Sequence, residues 1–170
     1  MRRVRYSVAV SLDGYIAGPK GEADWIIMDP DIDFGAMFEQ FDTFLLGRRT
    51  FEPMARVRKS ETPGVKTFVF SRTLRQQDYP GVTIVAEGVE ETVAALRAEP
   101  GKDIWLFGGG SLFRSLLDAG LVDTVEVAIM PVLLGEGIPL LAPPARQKKL
   151  QLTGHKVYPT GIVSLEYTVQ

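Results

Sequence analysis

A chain of 170 residues, 45% of them hydrophobic and 24% charged, is long enough for one water-soluble domain with a full core and too short for two of ordinary size. Its formal charge of −2 gives no general attraction to nucleic acid or to an anionic membrane surface. With no cysteine and a single histidine, His155, the sequence excludes disulfides, thiol catalysis, iron–sulfur ligation and an ordinary zinc cluster, and no metal site is expected.

Met1-Arg2-Arg3 leads directly into a strand pattern over Val4–Val10, without the apolar core of a signal peptide. No apolar run reaches membrane-spanning length, so a cytoplasmic protein is expected. Ser11-Leu12-Asp13-Gly14-Tyr15-Ile16-Ala17-Gly18-Pro19 breaks the strand and opens an irregular stretch to about Pro30. Loops of that length inside a compact domain are usually functional. Asp33 is placed to cap a short helix with Phe34, Met37, Phe38 and Phe41 on its apolar face. Thr43–Leu46 is a brief buried strand, and Gly47 turns it into the helix start Arg48-Arg49-Thr50-Phe51-Glu52; Pro53 and Pro63 then bracket a surface segment. Thr67–Phe70, stopping at Ser71-Arg72, and Val82–Val85 are further short strands. Val89, Val93, Ala94 and Leu96 mark a helix that runs up to Pro100.

The stretch from Asp103 to Leu117 carries the strongest local signal. Ile104–Phe107 is a continuous apolar run, as in a central strand buried on both faces. Gly108-Gly109-Gly110 follow, and Leu112, Phe113, Leu116 and Leu117 then fall at helical spacing up to Gly120. Residues without Cβ let another group come close to the backbone, and the free N–H groups of a helix start favour an anion. A phosphate-bearing ligand is therefore expected on this corner, the alternative being a tight turn that needs positive φ. Beyond it, Val125, Val127 and Ile129 alternate with Thr124, Glu126 and Ala128 in the manner of an antiparallel strand. Pro131–Pro144 reads as a buried but irregular excursion, and Ile162–Val169 closes the sheet. Strands separated by helices early, then strands alone late, give an α/β fold: a mixed sheet with a parallel core and an antiparallel C-terminal edge, in one domain over residues 1–170.

Gly47-Arg48-Arg49-Thr50, Ser71-Arg72 and Gly108-Gly109-Gly110 share one geometry, a buried strand ending in a polar or glycine turn. Ligands collect at the carboxyl ends of strands in parallel-core sheets, so these corners should face one edge and suit a ligand with several phosphates, such as a dinucleotide. Gly-x-Gly-x-x-Gly fails at Phe113, and no Gly-x-x-x-x-Gly-Lys-Ser/Thr occurs. Asp29-Pro30-Asp31-Ile32-Asp33 begins like a calcium loop, but Phe34 and Gln40 stand where its glycine and bidentate glutamate belong. His155 has no nucleophile elbow to serve and is expected as an ordinary surface or sheet-end residue.

Gly47-Arg48-Arg49-Thr50-Phe51-Glu52, Phe70-Ser71-Arg72 and Phe107-Gly108-Gly109-Gly110-Ser111-Leu112-Phe113 resemble, in order and separation, the cofactor motifs of the dihydrofolate reductase fold. Ser11-Leu12-Asp13-Gly14-Tyr15-Ile16-Ala17 and Ala128-Ile129-Met130-Pro131-Val132-Leu133-Leu134-Gly135-Glu136-Gly137 resemble more closely the reductase domain of the bifunctional riboflavin-biosynthesis enzyme and its small stand-alone relatives. The resemblance covers nearly the whole chain. It implies a dihydrofolate reductase-like three-layer α/β/α architecture, NADPH as cofactor and hydride transfer from its nicotinamide. It further implies that Ala9 and Ile16 lie near the nicotinamide and that Gly47, Arg48, Arg49 and Thr50 hold the pyrophosphate. Ser71 and Arg72, beside Phe70, would bind the adenosine 2′-phosphate, and Gly108, Gly109, Gly110, Ser111, Leu112 and Phe113 would line the cofactor's centre.

The folate enzymes place a carboxylate on the helix after the first long loop, where Asp31 and Asp33 stand here, and Asp13 matches the riboflavin-type motif. These three are the candidate catalytic carboxylates. Each also has a structural use: Asp33 as a helix cap, Asp31 as a loop charge and Asp13 as a turn residue before Gly14. No deaminase segment precedes the first strand, which points away from riboflavin synthesis itself. A homodimer is implied by the riboflavin-type resemblance, and Leu133-Leu134-Gly135-Glu136-Gly137-Ile138-Pro139-Leu140-Leu141 needs cover from its own sheet or from a second copy. The expected activity is NADPH-dependent reduction of a small heterocyclic (pterin- or pyrimidine-like) or carbonyl substrate. The alternatives are a dihydrofolate reductase or 5-amino-6-(5-phosphoribosylamino)uracil reductase proper, or a non-catalytic NADP(H)-binding module.

Overall fold

The structure, a computed structural model, describes residues 1–57 and 63–170. Its main sheet has the order β5 (Thr83–Val85), β4 (Lys66–Phe70), β3 (Phe41–Gly47), β6 (Asp103–Gly108), β1 (Val4–Ser11), β7 (Thr124–Met130), β10 (Val163–Val169), β9 (Leu150–Val157). Every neighbouring pair from β5 to β7 is parallel, and β10 and β9 add an antiparallel edge. Helix α1 (Phe34–Phe38) and helix α2 (Arg48–Val57) cover one face, while α3 (Val89–Ala98) and α4 (Gly110–Asp118) cover the other.

Strand periodicity explains why both faces fill. In β6, Ile104 and Leu106 join the core beneath α3 and α4, whereas Trp105 joins the one beneath α1 and α2, with Phe107 packed against it. Register aligns Leu45, Leu106, Tyr6 and Val125 in a row across β3, β6, β1 and β7, all in the first core. Leu45 and Leu106 are fully buried, and each such side chain contributes roughly 1.5–3 kcal/mol relative to exposure.

The amino ends of the parallel strands are held by charge. Arg2 is buried and donates to Asp42, to Thr43 Oγ1 at 2.7 Å and to the Lys102 carbonyl at 2.6 Å. Arg5, also buried, pairs with Glu126 at 2.8 Å and Asp103 at 3.3 Å and lies over the Phe41 ring. Burial pulls the Asp103 carboxyl upward, but the hydrogen bonds and charges of Arg3 and Arg5 outweigh it and hold the group below its usual range.

Several expected elements differ in detail. Phe41 opens β3 instead of extending the helix face of α1. Helix α2 runs through Pro53, which withdraws the intrahelical donor that the Arg49 carbonyl would otherwise receive. Of the surface segment expected between Pro53 and Pro63, residues 58–62 lie outside the described residues. The alternating β7 is antiparallel only toward β10; toward β1 it is parallel. The early loop and the late excursion each contain a short strand, β2 (Tyr15–Ala17) and β8 (Ile138–Pro139), which pair with each other. Strand β9 was not expected at all: its sequence is polar and nearly every residue is exposed.

Candidate functional site

The carboxyl ends of β1, β3 and β6 open into a cleft of about 980 Å³, at the upper end of small-molecule sites, which run to roughly 1,000 Å³. Ser7 and Ala9 of β1 and Trp105 and Phe107 of β6 line it, as do Gly47–Thr50 at the head of α2 and Gly109–Leu112 at the head of α4. Ile16, Ile26 and the excursion around Gly137–Pro139 line it from the loops. Two helix starts thus border one space. Their unpaired N–H groups and dipoles favour negative charge between them, and Arg48 and Arg49 stand at the first of them, both exposed. Arg48 is steadied by Glu52 at 3.1 Å, an i,i+4 pair on α2.

The glycines of the corner serve different ends. Gly108 has φ +99°, and a Cβ there would approach Tyr6 Cε2 to 3.2 Å; the following peptide bond is cis. Gly110 lies under the excursion, where a Cβ would stand 2.7 Å from the Pro139 carbonyl oxygen. Gly109 alone is bare toward the cleft: a Cβ would meet only Thr50 Oγ1, at 3.8 Å. The excursion that closes over this corner is fixed from below. Tyr6 Oη donates to the Leu140 carbonyl at 3.1 Å, and Arg114 donates to the Pro143 carbonyl at 2.8 Å.

Of the expected cofactor residues, the structure brings Ala9, Ile16, Gly47, Arg48, Arg49, Thr50, Phe70, Gly109, Gly110, Ser111 and Leu112 to the cleft wall. Gly108 lies beneath it, and Phe113 points into the core, stacked on Tyr6 with ring centroids 3.8 Å apart. Ser71 and Arg72 follow Phe70 at the end of β4. The Ser71 hydroxyl is buried and accepts from Thr73 N at 3.2 Å and Leu74 N at 3.1 Å, while Arg72 is exposed.

None of the three candidate carboxylates lines the cleft. Asp13 accepts from the Ser11 hydroxyl at 2.6 Å, Leu134 N at 3.1 Å and Gly135 N at 2.8 Å, tying the turn after β1 to the excursion. Those bonds, led by Ser11, bring its carboxyl down to about 2. Asp33 caps α1 by accepting from Ala36 N at 3.0 Å, and Asp31 is exposed. Sequence reasoning passed over Asp29, which is buried and accepts from Thr160 Oγ1 at 2.6 Å and N at 3.2 Å. The Thr160 hydroxyl bond leads the causes that lower its carboxyl. Asp29 thereby pins the loop carrying Ile26 to the turn between β9 and β10. Ser7, Trp105 and Phe107 were also passed over: Trp105 and Phe107 lie in an unbroken apolar run with no alternation to mark which side faces the cleft, and Ser7 was a polar residue between apolar neighbours. Trp105 Nε1 donates to the Ser7 carbonyl at 2.9 Å and its ring stacks on Phe107, centroids 4.4 Å apart.

The RibD C-terminal domain family matches residues 2–164. The chain belongs to that family. The uncharacterized protein YyaP of Bacillus subtilis (strain 168) is similar to it at 38% identity, over 98% of this chain and 94% of its own length. The riboflavin biosynthesis protein RibD of Corynebacterium ammoniagenes is 27% identical over 83% of this chain and 46% of that protein. Among solved structures, a candidate riboflavin biosynthesis protein from Shewanella sp. PV-4 superposes with a TM-score of 0.82 at 26% identity, covering 100% of this chain and 99% of that one. Dihydrofolate reductase from Enterococcus faecalis, complexed with NADP(H), gives 0.71 at 21% identity over 99% of this chain and 96% of its own. The family member therefore has the dihydrofolate reductase-like fold, with the parallel core and antiparallel edge described above.

Proposed function

We propose that the chain is an NADPH-dependent reductase that delivers a hydride to a small planar substrate. One observation carries this reading: the heads of α2 and α4 border the same cleft, and Gly109 between them is bare toward it. Backbone N–H groups on both sides and guanidinium donors on one suit a pyrophosphate. In this reading Gly47–Thr50 and Gly109–Leu112 hold the cofactor's phosphates and adjoining ribose, Ser71 and Arg72 take the 2′-phosphate, and Ala9 and Ile16 flank the nicotinamide. The names of the relatives, a riboflavin biosynthesis protein and a dihydrofolate reductase complexed with NADP(H), agree with it.

When bound, the cofactor supplies the hydride, chemistry for which no side chain of this protein is equipped. The chain contributes orientation and exclusion of water. Ile26, on the loop pinned by Asp29, and the excursion pinned by Tyr6 and Arg114 both line the cleft and narrow solvent access to it. Titration of the protein with NADPH, followed through tryptophan emission and energy transfer to the dihydronicotinamide, tests the reading. Saturable binding that is tighter than for NADH is expected, and a protein that binds neither nucleotide would refute it.

A further inference from the structure

The cleft has a charged end and an uncharged one. Arg48 and Arg49 are its only ionisable residues among those described, and both belong to the head of α2. Away from that helix start, the lining is Ser7, Ala9, Ile26, Trp105 and Phe107, with Met54 from farther along α2. No carboxylate, lysine or histidine reaches it among the described residues. The indole N–H of Trp105 is already committed to the Ser7 carbonyl, which leaves the Ser7 hydroxyl as the free polar group of the floor.

From this lining we infer that the hydride acceptor is an uncharged, planar conjugated carbonyl compound of the quinone type; the inference rests on the reductase reading above. A 2-amino-4-oxo ring of the pterin kind presents a donor pair best met by a carboxylate, and buried donors without partners are strongly disfavoured. A phosphorylated pyrimidine needs cations of its own, and both arginines lie at the end assigned to the cofactor. A flat neutral ring needs neither. It packs on the half-buried Phe107 ring, which is backed by Trp105 stacked behind it, and accepts one hydrogen bond from Ser7.

The missing acid fits the same class. The quinone gains two electrons and two protons: a hydride, released as the C–H bond of the dihydronicotinamide breaks, and one proton from water. The hydride forms a C–H bond at a ring carbon conjugated to a carbonyl, and the displaced electron pair comes to rest on the carbonyl oxygen. That carbon then releases a proton to solvent as the ring aromatises and water protonates both oxygens, a net uptake of one proton. Phenolic oxygens hold their protons with a pKa of about 10, so the oxygen that took the pair tolerates negative charge until solvent protonates it, and no carboxylic acid is required.

The test uses the intact protein saturated with NADP⁺, titrated calorimetrically with 1,4-naphthoquinone, dihydrofolate and a phosphorylated aminopyrimidine, followed by anaerobic NADPH oxidation with the same three compounds. Naphthoquinone is expected to bind and to exceed both others at least tenfold in kcat/KM. Ser7→Asp, which places a carboxylate on the floor, is expected to weaken naphthoquinone binding at least tenfold with the NADPH titration unchanged. A tenfold preference for dihydrofolate or the aminopyrimidine, no naphthoquinone binding, or a Ser7→Asp protein that binds it as before would overturn the inference while leaving the reductase reading intact. Failure of NADPH itself to bind would remove both, and the nucleotide titration distinguishes that case.

Discussion

Alanine placed at Gly109 or at Gly110 adds the same methyl group to adjacent residues with opposite surroundings. At Gly109 the backbone has φ −74°, open to any residue, and the new Cβ would find only Thr50 Oγ1 at 3.8 Å. Folding should change by no more than about 0.5 kcal/mol, or roughly 1–2 °C in Tm for a protein of this size. The methyl would occupy the space the cofactor needs beside the backbone, and a tenfold or greater loss of NADPH affinity is expected, about 1.4 kcal/mol. At Gly110 the Cβ would stand 2.7 Å from the Pro139 carbonyl oxygen, 3.1 Å from Ala142 N and 3.3 Å from the Leu140 carbonyl oxygen. These are backbone atoms that cannot swing aside, and overpacking of this kind costs about 1–3 kcal/mol, or roughly 2–12 °C. Calorimetric melting and NADPH titration on both variants separate the two effects. A Gly109→Ala protein that melts as low as Gly110→Ala, yet binds NADPH like the parent, would refute the reasoning.

Arg72→Ala should narrow the preference for NADPH over NADH by about 1.5 kcal/mol, roughly tenfold; equal affinities in the parent protein would remove the basis for it. Because the Asp13 carboxyl is brought down to about 2 from an ordinary 3.8, its stabilising contribution is fully present above about pH 4 and is lost as pH falls toward 2. The stability gap between parent and Asp13→Asn should therefore shrink over that range in acid-unfolding curves, and a constant gap would contradict the assigned bonds. A homodimer is expected to join at β9, where Leu152 and Val157 are 50% and 71% exposed. Sedimentation should show a dimer at micromolar protein and a folded monomer for Leu152→Glu, whereas a monomeric parent would rule the interface out.

The parallel core was legible because strands buried on both faces read as unbroken apolar runs: Thr43–Leu46, Thr67–Phe70 and Ile104–Phe107 all emerge as strands. Strand β9 was not legible because it is an outer edge, and Leu150-Gln151-Leu152-Thr153-Gly154-His155-Lys156-Val157 has no buried face to impose alternation. The glycine corner was found from composition, but composition could not say that only Gly109 faces the cleft, since Tyr6 and Pro139, remote in sequence, decide the cases of Gly108 and Gly110. The excursion Leu133–Leu141 divides similarly. Leu140 and Leu141 pack on the molecule's own core and Ile138 pairs in β8, while Leu133 is 68% exposed. For the carboxylates, local sequence allowed both cap and catalyst, and only long-range partners such as Leu134, Gly135 and Thr160 reveal what Asp13 and Asp29 hold together.

Five of the six ion pairs among the described residues involve Arg2, Arg3, Arg5 or Arg97 and gather at the end of the sheet opposite the cleft. Foundation and working surface are thus separate in space, and residues more than about 10 Å apart without shared partners vary nearly independently. Ile26 and Met54 can therefore be exchanged to admit a differently shaped substrate while the arginine clamps keep the strands in register, whereas Ser7, which stands opposite Glu126 on β7, is the cleft residue tied to a clamp. A scaffold divided in this way lets specificity drift faster than architecture. A library randomised at the cleft should retain folded members far more often than one randomised at Arg5, Asp103 and Glu126.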